Sequence, residues 1–350
     1  MKKWLQQIAR RIEKNWYQSF NFLTLLLLPF SFLFYLIIAV RKYLYHKGLL
    51  TIHTFDVPII VVGNITVGGT GKTPLVIYLA NLLTTEGYHV GIVSRGYKSK
   101  KLAEPLFVTS ESDVNEVGDE PLLIANHVPG PVVVFPDRVK AVETLLRYHM
   151  CNVVICDDGL QHYALGRNIE IAVIDGDRRL GNERLLPAGP LREPIRRLKT
   201  VDFVVCNGQC DWPGSYPMLL TPGKITSVMD EMKQTTGDEI KNKIIHAVVG
   251  IGNPKRFFET LKNLKLRFFD HVFPDHYPYK KKDFEFGEEN IVIMTEKDAV
   301  KCRVFADERF WFLPVTAILE NEFGDTLLTM LASFSESGEL DQKRGISYED

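Results

Sequence analysis

The feature that most constrains this chain is a glycine-rich turn set between a short apolar run and a helical stretch. Residues 58–63 (PIIVVG) lead into Asn64-Ile65-Thr66-Val67-Gly68-Gly69-Thr70-Gly71-Lys72-Thr73-Pro74, and residues 74–85 then carry a helical pattern. A wholly apolar run of that length suits a strand buried on both faces of a parallel sheet. Glycines let the backbone turn tightly, so its N–H groups can converge on an anion at the helix N-terminus. In such a loop Gly68, Gly69, Thr70 and Gly71 would cradle phosphates, Lys72 would reach the β- and γ-phosphates of ATP, and the Thr73 hydroxyl would hold Mg²⁺. The spacing is unusual: Thr66 stands six places before the lysine, where the common loop has glycine. Glycines at 68, 69 and 71 match the deviant loops of another NTPase branch, although Val67 stands where those carry a lysine.

Similar apolar runs recur at residues 89–94, 131–135, 152–156, 169–174 and 201–206, with helical stretches such as 138–149 between several of them. This alternation predicts a parallel sheet with helices on both faces. A second set of runs follows at 244–249, 266–269, 290–294 and 310–313, after a stretch rich in Pro, Gly and Thr at 207–237 that reads as a boundary with a β-ribbon connection. The expected fold class is α/β: a P-loop NTPase-like parallel-sheet domain, a smaller C-terminal α/β domain and an N-terminal hydrophobic helix. The expected divisions are 1–50 for the membrane-associated segment, 51–225 for the core, 226–335 for the smaller domain and 336–350 for a charged, flexible tail.

A nucleotide site needs acid at the end of a second strand. Residues 153–156 run directly into Asp157-Asp158-Gly159. Adjacent carboxylates do not both ionise cheaply without a cation, and a magnesium ion supplies one.

Residues 22–40 (FLTLLLLPFSFLFYLIIAV) form nineteen uncharged positions, close to the span of a bilayer core. The run is long for a secretory signal and no A-x-A-like cleavage site follows it. Lys2, Lys3, Arg10, Arg11 and Lys14 precede it, and Arg41, Lys42 and Lys47 follow, so charge does not set one orientation. The reading is a membrane anchor, spanning or interfacial, interrupted by Pro29, with a docking helix as its rival. Net charge is −1, which supplies no global field for nucleic acid, and no obligate protein partner is evident. Five cysteines, with Cys206 and Cys210 lacking a second ligand pair, read as buried or idle thiols in a reducing cytoplasm rather than a zinc site.

Further segments narrow the reading. In order they are Ser94-Arg95-Gly96-Tyr97, Gly118-Asp119-Glu120-Pro121, Asp157-Asp158-Gly159-Leu160-Gln161-His162, residues 181–194 (GNERLLPAGPLREP), Phe273-Pro274-Asp275-His276-Tyr277 and residues 295–301 (TEKDAVK). Arranged around a phosphate loop, these resemble the tetraacyldisaccharide 4'-kinases of lipid A biosynthesis, from about Ile52 to Pro314. The resemblance implies transfer of the γ-phosphate of ATP to the 4'-hydroxyl of a lipid-linked disaccharide 1-phosphate, giving lipid IV-A at the cytoplasmic side of the inner membrane. It also implies that Asp119 and His276 form a dyad that activates the sugar hydroxyl. Asp157 and Asp158 would stand on the metal side, and Arg138, Asn182 and Glu183 near nucleotide or substrate. A membrane-tethered NTPase with a regulatory or delivery role is the competing reading.

The chemistry fits those residue types. A sugar hydroxyl is a poor nucleophile that benefits from a base within hydrogen-bond reach, and a carboxylate can orient a histidine for that task. Phosphoryl transfer is mostly positioning and charge neutralisation, which makes Lys72, Arg95, Arg138 and Arg192 the candidate cations.

Overall fold

The structure, a computed structural model, describes residues 12–18, 21–96 and 102–336. Tyr97 and almost all of the 336–350 tail lie outside the described residues.

The first sheet is built on β1 (Ile59–Gly63), β2 (Val90–Ser94), β3 (Leu106–Val108), β4 (Val132–Val134), β5 (Val153–Asp157), β6 (Ile169–Asp175), β7 (Phe203–Asn207), β8 (Tyr216–Pro222) and β15 (Val315–Leu319). Its strand order is β15-β8-β7-β6-β1-β5-β2-β4-β3, parallel throughout except at the edges, where β15 and β3 run antiparallel. Every residue of β1 is buried, and the two-residue period divides them between two cores. Ile60 and Val62 pack with Leu75 and Leu79 of α2 (Lys72–Thr85) and with Phe323 and Leu327 of α7 (Asn321–Glu336). Ile59 and Val61 face Val139, Val142 and Leu145 of α4 (Arg138–Tyr148), whose N-cap Asp137 accepts from Val139 N–H at 3.1 Å. Helix α3 (Asp119–His127) follows Gly118 on the α2 side.

The second sheet has strand order β10-β9-β14-β13-β11-β12. It comprises β9 (Ile225–Ser227), β10 (Gln234–Thr235), β11 (Ile245–Val249), β12 (Phe269–Val272), β13 (Ile291–Thr295) and β14 (Phe310–Leu313), with α5 (Pro254–Asn263) and α6 (Glu296–Cys302) packed on its opposite faces. The expected strand at 266–269 begins later. Lys265 takes a left-handed φ of 58°, and Leu266 N–H bonds back to Leu261 at 3.1 Å, so those residues terminate α5 instead.

Two chain passages join the sheets. β8 continues through Gly223-Lys224 into β9, and β14 continues through Pro314 into β15, with Gly223 N–H donating to Pro314 O at 2.9 Å. The second passage moves one expected boundary. Residues 315–335, assigned from sequence to the smaller domain, return as β15 and α7 to the first sheet, where Phe323, Leu327 and Leu331 are fully buried. Cys206 and Cys210, expected as idle thiols, are joined as a disulfide with Cα atoms 6.1 Å apart.

Helix α1 (Phe22–His46) runs through Pro29 without ending. Within it only Thr24 and Ser31 are buried, while Phe22, Leu25, Phe30, Phe32, Leu33, Ile37 and Val40 are each more than half exposed. Its apolar length therefore does not serve the core of this chain, which removes the docking-helix rival. Polar side chains seat it instead. Ser31 Oγ donates to Leu185 O at 2.7 Å, Arg196 donates to the Tyr35 hydroxyl at 3.0 Å, and Lys42 pairs with Glu193 at 2.6 Å.

Candidate active site

The phosphate loop leaves β1 at the sheet's centre and ends where α2 begins. Gly68 and Gly71 take φ values of 101° and 93°, a region that disfavours side chains. A Cβ on Gly71 would collide with the Asn207 amide, whose Nδ2 donates to Thr70 O at 3.0 Å. The departure at Thr66 has a structural cause. Thr66 forms an antiparallel bridge with Leu191, Val67 N–H donates to Pro190 O at 2.8 Å, and Arg192 N–H donates to Ile65 O at 2.6 Å. The loop's first half is thus extended and zipped to the 190–192 segment, a geometry that has no need of glycine. Lys72 Nζ lies 3.3 Å from both Asn64 Oδ1 and Asp158 Oδ1.

The two adjacent aspartates have opposite environments. Asp157 ends β5 fully buried; burial, then Glu120 and Asp158, push its carboxyl up to about 7. Its Oδ2 accepts from Ser94 Oγ at 3.0 Å, while Oδ1 has no hydrogen-bond partner among the described residues. Burial also works against the charge of Asp158, but Lys72, Arg192 and Arg138 outweigh it and hold that carboxyl far below the usual range. A buried, unpartnered carboxylate oxygen close to the start of α2 is the kind of group a divalent cation would satisfy.

Across the cleft, Asp119 begins α3 and His276 sits on the loop after β12 with a left-handed φ of 56°. His276 Nδ1 lies 2.9 Å from both oxygens of Asp119. Burial opposes ionisation of Asp119, but the His276 bond, Lys297 and Lys301 hold it at about 2. An ionised carboxylate only accepts, so the imidazole donates from Nδ1, which leaves Nε2, 3.7 Å from Asp275 Oδ1, as the ring nitrogen turned away from Asp119. Lys297 Nζ, which only donates, lies 3.5 Å from that Nε2 and 2.8 Å from Glu120. Lys297 is held cationic by Glu120, Asp119 and Asp275 against its burial.

A cleft of about 770 Å³ brings Gly68, Gly69, Lys72, Asp158, Arg192 and His276 to one space, with Arg95 and Glu120 on its walls. A second cavity, about 550 Å³, continues past Thr70, Gly71 and Thr73 along α2. Not every predicted residue reaches these spaces. Arg138 is buried behind the acidic turn, donating to Asp158 O at 3.1 Å and Pro136 O at 3.0 Å. Asn182 bonds Ala188 O at 2.8 Å, and Glu183 is exposed with a φ of 60°. That loop meets the N-terminal segment, where Trp16 Nε1 donates to Pro187 O at 2.9 Å.

Sequence reasoning assigned no role to Lys297 and Lys301, although both were in view within residues 295–301. Their i,i+4 spacing puts them on one face of α6, toward Asp119. It also missed Asp175 at the end of β6, which accepts from Arg178 and Arg256 and so ties the phosphate loop's flank to the second sheet's α5. An acid at a strand end was the available signal.

A phosphate loop at the end of a central parallel strand, with acid at the end of the adjoining strand, defines the chain as a P-loop NTPase-type protein. The model of the family described as tetraacyldisaccharide-1-P 4'-kinase matches residues 23–332. A tetraacyldisaccharide 4'-kinase of Methylobacillus flagellatus is 46% identical over 95% of this chain and 98% of its own length. Its counterpart in Coxiella burnetii is 48% identical over 91% of this chain and 94% of its own. A crystal structure of LpxK from Aquifex aeolicus in complex with ATP superposes with a TM-score of 0.74 at 34% identity, covering 88% of this chain and 99% of that one. The chain belongs to the tetraacyldisaccharide 4'-kinase family, which sets aside the regulatory or delivery NTPase.

Proposed function

We infer that this chain transfers the γ-phosphate of ATP to the 4'-hydroxyl of a tetraacyldisaccharide 1-phosphate, forming lipid IV-A, with its catalytic domains at the cytoplasmic face of the inner membrane. The observation that best supports the site is the Asp119–His276 pair, whose His276 lines the same cleft as Lys72 while Asp119 holds it from behind. In this reading Gly68 to Gly71 cradle the phosphates and Lys72 supplies a point charge to the β- and γ-phosphates. Arg192 and Arg95 face the same space and add positive charge there. Asp119 fixes the imidazole so that Nε2 accepts the hydroxyl proton as the sugar oxygen attacks.

The residues present suit Mg²⁺: the Thr73 hydroxyl and the free Oδ1 of Asp157 would hold it, while Asp158 is engaged by Lys72 and Arg192. Bound there, the ion would neutralise phosphate charge. Arg138 acts as a brace for the Asp158 turn, and Asn182 and Glu183 belong to the platform for the N-terminal segment. The exposed apolar length of α1 anchors the protein, which brings the cleft to a lipid-linked acceptor.

The experiment is transfer of γ-labelled phosphate from ATP into the lipid acceptor. Label appearing at the 4'-position supports the reading, and release of label only as inorganic phosphate would refute it.

A further inference from the structure

The seat of α1 and the catalytic lysine are joined by an unbroken chain of polar contacts through the protein interior. Lys42, on the last third of α1, pairs with Glu193 Oε2 at 2.6 Å. Glu193 is 1% exposed and also accepts from the Tyr163 hydroxyl at 2.7 Å and from Gln161 Nε2 at 2.9 Å. The same Gln161 nitrogen donates to Asn64 O at 3.0 Å, and Gln161 Oε1 accepts from Arg192 at 3.5 Å. Asn64 is fully buried; its side chain accepts from Lys72 Nζ at 3.3 Å and donates to Gly68 O at 3.3 Å. Arg192 in turn reaches Asp158 at 3.4 Å. A single amide, Gln161, therefore governs both the loop residue that holds Lys72 and the arginine that faces Asp158.

The direction of that amide is set by Glu193. A carboxylate can only accept, so it draws the NH₂ end of Gln161 toward itself and toward Asn64, leaving the oxygen for Arg192. Glu193 stays ionised at this depth because cations meet it, and one of them, Lys42, belongs to the membrane helix rather than to the kinase core. Buried networks of this kind are demanding: fully satisfied they specify one arrangement, and partly satisfied they give way.

We propose that Lys42, Glu193 and Gln161 are positioning residues for phosphoryl transfer, through which the seated α1 sets the placement of Lys72 and Arg192 in addition to holding the protein on the membrane. The proposal rests on the kinase reading above. It makes α1 part of the catalytic geometry, with Lys42 as the contact that transmits its docking.

The test uses the full-length protein with the lipid acceptor in detergent micelles, where membrane tethering no longer limits the rate. Lys42→Met, Lys42→Arg, Gln161→Met and the double variants Lys42→Met/Gln161→Met and Lys42→Met/Glu193→Met are compared with the parent for kcat, both KM values and melting temperature. The expected result is a fall in kcat of about tenfold in Lys42→Met with both KM values within about twofold, since the lost placement acts in the transition state. Lys42→Arg should recover most of it. Lys42→Met/Gln161→Met should be no worse than the poorer single variant, as for groups acting in one chain.

Lys42→Met/Glu193→Met separates placement from stability. Removing one charge of each sign keeps the parent's charge balance around Arg197, which still has Glu170, and should recover much of the melting temperature, while kcat stays low because Gln161 is no longer oriented. Recovery of kcat together with stability would overturn the proposal, as would multiplicative losses in Lys42→Met/Gln161→Met or a loss confined to the KM for lipid. The parent's transfer of phosphate to lipid tests the kinase reading by itself. Were it absent, the same ratios would be read on ATP hydrolysis, so the two failures stay distinct.

Discussion

Replacing Asp119 by Asn and His276 by Ala, singly and together, probes the candidate base directly. Asp119 drops from the ordinary 3.8 to about 2, which corresponds to about 2–3 kcal/mol of net attraction for the ionised carboxylate. That attraction comes from His276, Lys297 and Lys301 together, and Asp119→Asn removes all of it, so the fold should lose about 2–3 kcal/mol. The catalytic loss should be larger: general-base assistance is typically worth about 10²–10⁴ in rate, and an asparagine that offers its NH₂ to Nδ1 would favour the wrong tautomer. Because Asp119 is ionised at any pH above about 4, its substitution should lower kcat by a similar factor across the neutral and alkaline range. The assay is γ-label transfer into lipid from pH 6 to 9 or so, with ATP affinity measured separately by equilibrium binding. The double variant should fall little below the poorer single variant, because the two groups act as a unit. Losses that multiply, or a parallel loss of ATP binding, would refute the dyad and place these residues on the nucleotide.

Three further outcomes follow from the geometry. Lys72→Ala should lower kcat at least about a hundredfold while the melting temperature changes little, since Arg192 still faces Asp158 at 3.4 Å; a rate near the parent's would remove the lysine from the phosphates. Asp157→Asn should shift the Mg²⁺ titration of activity far more than Asp158→Asn, because only Asp157 has an uncommitted oxygen, and equal titration curves would contradict that assignment. His127 on α3 meets Glu296 on α6 at 2.6 Å, and that hydrogen bond raises the imidazole above its usual 6.5. The stabilisation is therefore fully present below about 6.5 and is lost as pH rises through the raised value. Melting temperature should decline from about pH 6 to pH 9 by an increment that His127→Gln abolishes, and an unchanged slope in the variant would exclude the pair.

What could be read from sequence depended on whether the signal was local. β1, its glycine turn and α2 are specified by consecutive residues, and the parallel strands on either side are continuous apolar runs because both faces are buried. β8 was hidden for the opposite reason. It lies between β7 and β15, with partly exposed, mixed residues, and the second of those partners is about a hundred positions away in the chain. The amphipathic α7 gave no indication of which sheet it would cover. Nor could a separation of 157 positions say that Asp119 and His276 meet, so that pairing entered only through family resemblance. Arg138 shows the converse: a buried arginine at a helix start resembles a phosphate ligand in sequence, yet its guanidinium is spent on backbone carbonyls.

The double passage between the sheets explains how such a divided site can hold its geometry. His276 belongs to the second sheet and Asp119 to the first, so their 2.9 Å contact depends on the relative placement of two separately packed cores. A single linker would leave that placement free to rotate. Here β8–β9 and β14–β15 run side by side across the gap, and the bond from Gly223 to Pro314 ties them at the crossing. Contacts on the far side complete the restraint: Lys297 with Glu120, His127 with Glu296, and Arg256 with Asp175 all join α5 or α6 to the first domain. Asp175 is buried and Lys297 nearly so, and Val300 of α6 packs into the first sheet's core. Together with the paired strands these contacts hold the two halves of the dyad in register across the cleft. Catalysis by a dyad split between domains requires that register, since a base assists only within hydrogen-bond reach of the proton it takes.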